Sequence, residues 1–163
     1  MYKMIAALTF LAITSATLTG CNDKEGSTGN AAATKTTYYS SYKCNIDSIA
    51  GKISPETGAS IYVPRGVAMF NSSVIDTANQ EAPKEIRLRL TGYKGKPTTF
   101  KDPAIVDRID LVKTYNNEKL LKSGFSFTAD LSSMESGGYN VVLEIPGANS
   151  PLLCQSKVLL VIE

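Results

Sequence analysis

The side chains of this 163-residue chain whose types and spacing could carry chemistry are three cysteines, Cys21, Cys44 and Cys154, and a run of acidic residues around an arginine: Asp102, Asp107, Arg108 and Asp110. Carboxylates so placed could form a pair for glycosyl transfer or an oxygen cage for calcium. The plainer expectation is that Asp110 caps a short helix, Arg108 pairs with a neighbouring carboxylate, and the rest is a solvated loop. Ser40-Ser41-Tyr42-Lys43 has the spacing of a serine nucleophile and its lysine base, but no strand-to-helix context surrounds it. Gly137-Gly138 is expected to form a turn with positive φ and not a phosphate cradle, because no helix start follows. The chain has no histidine. A Ser-His-Asp or Cys-His relay, a His-ligated zinc and an imidazole switch near neutral pH are therefore excluded. No nucleotide-binding motif is present. No residue is assigned a catalytic or metal-binding role, and none of these residues calls for a cofactor. Tyr62 and Tyr93 are the candidate binding aromatics outside the N-terminal segment.

The first cysteine has a different use. Lys3 is followed by an uncharged apolar and small-residue run from Met4 to Leu18, which ends at Thr19-Gly20-Cys21. That is the form of an export leader, not of a folded element, and the run is short for crossing a bilayer. Leu18-Thr19-Gly20-Cys21 resembles the bacterial lipobox, in which small residues admit a peptidase that cuts before a lipid-modified cysteine. The resemblance implies that residues 1–20 are removed and that Cys21 becomes the acylated first residue, with palmitate among its acyl chains. Each chain contributes roughly 0.8 kcal/mol per buried methylene, and several together hold a protein at a membrane. Asn22 stands where Asp would signal inner-membrane retention, so the resemblance implies a bacterial outer-membrane protein facing the periplasm or the cell surface.

From Asn22 to Tyr42 no Leu, Ile, Val or Phe occurs. Such a stretch cannot bury enough apolar surface to offset its ordering entropy, so residues 21–42 read as the acylated cysteine and a flexible tether of roughly 25 Å r.m.s. span. Tyr38, Tyr39 and Tyr42 at its end are expected to pack on the edge of the domain. With Cys21 given to lipid, Cys44 and Cys154 remain as an even pair in an oxidising compartment, and a disulfide is expected. It would join the first strand of the domain to the last, as a terminal clasp.

The elements that must position these residues follow from periodicity over 43–163. Ile86, Leu88 and Leu90 alternate with Arg87 and Arg89, and Phe125, Phe127 and Ala129 with polar residues. Both read as strands with one buried face, the two arginines lying in solvent. Tyr139, Val141, Leu143 and Ile145 read as the inner face of a half-buried strand, whereas Val158 to Ile162 is apolar on both faces and reads as an interior or covered strand. Weaker strands are expected at Cys44–Ile49, Ile61–Val63 and Val67–Phe70. Asp110 to Tyr115 departs from period two and suggests one short helix. About seven strands with a helical insertion, punctuated by Gly and Pro, predict an all-β, two-sheet antiparallel sandwich.

Cys44-Asn45-Ile46-Asp47-Ser48-Ile49-Ala50-Gly51, Arg65-Gly66-Val67-Ala68, Pro83, Arg108-Ile109-Asp110-Leu111-Val112, Ser123-Gly124-Phe125, Gly138-Tyr139 and Cys154 together resemble an immunoglobulin-like β-sandwich module of bacterial cell-envelope proteins, often ones that handle glycans. The resemblance spans nearly all of Cys44 to Glu163. Val67 stands where that module has Trp after Arg-Gly, so a ligand stacking on that ring has no counterpart. After Gly20 the chain carries 16 cationic against 15 anionic side chains, which gives nucleic acid no counterion-releasing surface. Two function classes follow. One is a non-catalytic module that binds an envelope protein, or less readily a glycan, or props a complex. The other is an envelope enzyme or enzyme inhibitor using the Asp102 to Asp110 loop.

Overall fold

Strand pairing in the computed structural model brings the alternating apolar residues onto two facing layers. The structure describes residues 42–55, 58–94, 96–147 and 151–163. The leader, Cys21, Tyr38, Tyr39 and Ser40 lie outside the described residues. Among the described residues ten strands form: β1 (Tyr42–Ile49), β2 (Lys52–Ile53), β3 (Ser60–Val63), β4 (Val67–Asp76), β5 (Arg87–Gly92), β6 (Thr98–Phe100), β7 (Ala104–Val106), β8 (Gly124–Asp130), β9 (Gly137–Ile145) and β10 (Leu152–Ile162). One sheet runs β2-β1-β4-β8-β7 and the other β3-β10-β9-β5-β6. All pairings are antiparallel except β3 with β10. The result is the two-sheet β-sandwich read from the sequence, consistent with an immunoglobulin-like module.

The inner faces supply the core: Ile46, Phe70, Val74, Phe125 and Phe127 from the first sheet, and Leu88, Leu90, Val141, Leu143 and Leu160 from the second, each at most 3% exposed. Ala50 and Gly51, at φ 50° and 77°, turn β1 into β2, the left-handed pair that a two-residue hairpin demands. Asp76 closes the turn after β4. Its carboxylate accepts from the Ala78 and Asn79 N–H groups and from Asn79 Nδ2, a side-chain mimic of a backbone turn. Cys44 and Cys154 are bonded, with Cα atoms 6.2 Å apart and a separation of 110 in sequence. Cys44 pairs with the buried Val74 and Cys154 with the buried Leu143. The bond thus ties the inner faces of the two sheets together, first strand to last.

Several expectations are corrected. β9, which lies between β10 and β5, is buried on both faces from Val141 to Ile145, whereas Leu159 on β10 is 37% exposed. β10 is interior as read, lying between β3 and β9, but its outer face is not covered at Leu159. Arg87 and Arg89 are half-buried and not in open solvent, because both reach Glu144, itself 8% exposed on the outer face of β9. Gly137 does have positive φ, 148°, but Gly137 and Gly138 open β9 and are not a free turn.

The helix, α1 (Ile109–Tyr115), is preceded by Arg108 at its cap position with no side-chain cap bond, and Asp110 sits inside the first turn. The expected Asp110 cap is therefore absent. Asn116 in the left-handed conformation ends the helix. A 3-10 turn, Glu118–Leu120, follows and buries Leu120 to 1%. This insertion lies over the outer face of the first sheet, not over an open end of the sandwich. Ile75 faces outward on β4 yet is 6% exposed, and it shares a cleft with Leu120. Ile105 and Ile109 are 60% and 59% exposed and Val112 is half-buried, so the apolar residues of this loop do not close over the core.

Candidate functional site

Arg108 organises the acidic run. Its stem crosses Gly124, where an added Cβ would stand 2.9 Å from the Arg108 Cγ and 2.5 Å from the Val106 carbonyl oxygen. The guanidinium then donates from Nη1 to Asp47 on β1 at 2.7 Å, and from Nε and Nη2 to Asp110 at 2.9 and 2.7 Å. These bonds to Asp110 raise the guanidinium pKa above its usual value, and they hold the Asp110 carboxyl down at about 2. Asp107 pairs with Lys122. The run therefore does not converge on one space: Asp110 turns to Arg108, Asp107 to Lys122, and Asp102 is exposed at φ 55° before β7. A carboxyl ionised down to about 2 is poorly matched to general-acid work near neutral pH. Among the described residues no three His, Cys, Asp or Glu side chains group as a metal site requires.

The two candidate tyrosines belong to the other sheet. Alternation in β3 buries Ile61 and Val63 and turns Tyr62 outward, 52% exposed. Tyr62 pairs with Val161, and Val161 with Gly138. Tyr93 follows the last residue of β5, beyond its Gly92–Tyr139 pair, and is fully exposed. At one strand spacing per step the two rings spring from backbones roughly 14 Å apart, with Gly138 between them leaving the floor low. Gly92 is required here for another reason: a Cβ would stand 2.8 Å from the Tyr139 ring.

Below this row the outer face continues as a shallow groove of about 220 Å³, lined by Arg89, Thr91, Asn140, Val142, Leu153 and Gln155. Arg89 meets Glu144 at 3.5 Å, a long contact, while the Arg87 beside it is shared between Glu85 and Glu144. The face thus offers a loosely held cation, two amides and two apolar side chains below the level of the two tyrosines. Sequence reasoning found Tyr62 and Tyr93 but not this groove. The alternation that turns Arg89, Asn140, Val142 and Gln155 to one face is visible within each strand, but their adjacency depends on the order β10-β9-β5.

Two further clefts are present, the second of which shares Gln155 with this groove. One, of about 260 Å³, has Ile75 and Leu120 in its lining and carries Lys43, whose Nζ lies 5.4 Å from the Tyr115 ring centre. The other, of about 710 Å³, follows the disulfide between β1 and β10. Fold and face together define a β-sandwich module with an outward-facing polar and aromatic sheet surface. No family model matches the chain, and no curated protein matches it in sequence.

Proposed function

We propose that this chain is a membrane-anchored cell-envelope lipoprotein whose β-sandwich is a non-catalytic binding module, and that the outer face of the β3-β10-β9-β5-β6 sheet takes the partner. The observation that carries the reading is the pair of exposed tyrosines, Tyr62 and Tyr93, rimming a face with Arg89 and two amides in its groove. Tyrosine and arginine are the side chains that most often anchor protein interfaces. A protein partner is therefore preferred to a glycan, since the face lacks a Trp platform. The engagement of Asp110 by Arg108 and of Asp107 by Lys122 favours binding over an enzyme or inhibitor built on that loop. The anchor rests on the lipobox-like Leu18 to Cys21, and the outer-membrane address on Asn22.

Two experiments test the two halves. Mild cross-linking in intact envelopes followed by pull-down should capture a partner that the Tyr62→Ala/Tyr93→Ala double variant loses, with no change in thermal midpoint. Capture that survives the double variant would move the partner to another surface. Labelling with a radioactive fatty acid should mark the wild-type chain and not Cys21→Ala, and the variant should leave the membrane fraction with its domain folded. A Cys21→Ala chain that still sediments with membranes would end the lipoprotein reading.

A further inference from the structure

Register sets the outer face of the second sheet out in rows. Arg87 pairs with Glu144 and Glu144 with Leu153, while Arg89 pairs with Val142 and Val142 with Gln155. Thr91 and Asn140 begin the next row. Directly opposed residues share a face, so the middle row has a long cation at one end, a long amide at the other and a short branched side chain between them. At one strand spacing per step the two ends spring from backbones roughly 10 Å apart, within reach of a guanidinium and an amide closing on a group seated over Val142. Val142 is 8% exposed and lines the groove of about 220 Å³. The polar groups around this notch are largely unspent. Arg89 is held by Nη1 alone, to Glu144 at 3.5 Å, and its Nε and Nη2 meet no acceptor among the described residues. The side chains of Thr91, Asn140 and Gln155 likewise have no hydrogen-bond partner among the described residues.

We infer that this notch takes the carboxylate of an aspartate or glutamate side chain from the protein partner. The inference rests on reading this face as the binding face, and it states what the partner brings there. Charge selects the occupant: Arg89 is the one ionised side chain among the described residues that line the groove, and no carboxylate lies with it. A planar guanidinium fork matches the two oxygens of a carboxylate, and such charge-assisted pairs are about twice as strong as neutral ones. Asn140 and Gln155 can donate from their amides to the same oxygens. Val142 and Leu153 supply apolar contact for the methylene stem that carries the acid. Glu144 also meets Arg87 at 3.5 Å, so it keeps a cation when Arg89 turns to the partner. A cationic side chain would be repelled by Arg89, and a neutral sugar hydroxyl would use the amides but leave the guanidinium without an anion.

A blocked amino acid isolates this chemistry from the rest of the partner. N-acetyl-aspartate N-methylamide, titrated at constant ionic strength into the isotope-labelled full chain, should move the side-chain N–H signals of Arg89, Asn140 and Gln155 along a saturating curve. N-acetyl-asparagine N-methylamide should not. Arg89→Gln should weaken the aspartate probe at least ~10-fold, and Arg89→Lys, which keeps the charge without the fork, should weaken it less. Glu144→Gln removes a competing anion and should tighten the probe by ~2- to 5-fold, with thermal midpoints showing that each variant is folded. Equal shifts from the asparagine probe, no saturable shift at the three side chains, or weaker aspartate binding in Glu144→Gln would overturn the inference. So would a saturating response to methyl β-glucoside in place of the aspartate probe, which would make the groove a sugar site. Cross-linking capture in intact envelopes separates the inference from the reading beneath it. Capture lost with Arg89→Gln, as with the tyrosine double variant, is the expected result. Capture that survives Arg89→Gln but not the tyrosine double variant ends the acidic contact and leaves the binding face standing, whereas capture that survives both ends the face.

Discussion

Removing the Arg108 guanidinium would leave Asp47 and Asp110 facing each other's charge across the outer face of the first sheet. It would also strip the aliphatic stem from Gly124. Arg108→Ala is therefore expected to cost ~1–2 kcal/mol, more than either carboxylate deletion, through lost packing as well as lost pairing. Asp110→Ala removes an exposed ion pair and a first-turn acid, not a cap, so its cost should stay below ~1 kcal/mol. Gly124→Ala must move the Val106 carbonyl, and at least ~2 kcal/mol is expected. Urea unfolding of the three variants orders them. The same contact sets a pH dependence. The Asp110 carboxyl is held at about 2 against an ordinary 3.8, and Asp76 is also lowered, its turn hydrogen bonds from Asn79 outweighing the opposing effect of burial. The Asp110 contribution is complete above the ordinary carboxylate range and is lost as pH falls from about 4 through 2, and that of Asp76 is likewise lost on acidification. Urea midpoints at pH 5, 3 and 2 should decline, and the decline should be shallower in Asp110→Asn.

Leu120, not the more conspicuous Ile105 or Ile109, holds the helical insertion to the sheet. At 1% exposure against 60% and 59%, Leu120→Ala should cost ~2–4 kcal/mol, while Ile105→Ala and Ile109→Ala should each cost ~0.5 kcal/mol or less. Thermal melts decide between this and a lid over the core, which would make the two isoleucines the costly ones. The insertion was legible as a helix, from the break in period two at Leu111 to Tyr115, but not as a cover for Ile75, which lies far back in the chain on β4. The same distinction runs through the fold. Ile86, Leu88 and Leu90, or Phe125, Phe127 and Ala129, announce their inner faces locally because side chains alternate. β7 and β6, at three residues each, are too short to show a period. β4 extends beyond Phe70 through Asn71, Ser72 and Ser73, whose polar side chains hide a strand that the structure largely buries. The site was half legible for the same reason: Tyr62 and Tyr93 stand out by residue type, whereas Arg89, Asn140 and Gln155 become neighbours only when three strands align.

The whole molecule is closed by the Cys44–Cys154 bond, which encloses nearly every strand. In the chain-entropy model a loop of 110 residues is worth up to roughly 4–5 kcal/mol, and reduction is expected to lower stability by a few kcal/mol while the sandwich persists. Thiol titration of the unfolded, unreduced domain should find neither Cys44 nor Cys154 free, and urea midpoints with and without reductant give the cost.

That bond also limits how far the chain can be drawn out. A pull entering at Tyr42 reaches Cys44 after two residues and passes through sulfur to Cys154, leaving the intervening polypeptide slack even if every strand were undone. Only the short stretches outside the loop can lengthen until the bond is reduced, when roughly 380 Å of extended chain would be released at about 3.3–3.6 Å per residue, corresponding to the sequence separation of 110 that it spans. In a force spectrometer the oxidised domain should yield with almost no gain in length and the reduced one with nearly all of it. The first and last strands thus make the domain a fixed-length link, whose extension is set by a covalent stop and not by the strength of its core.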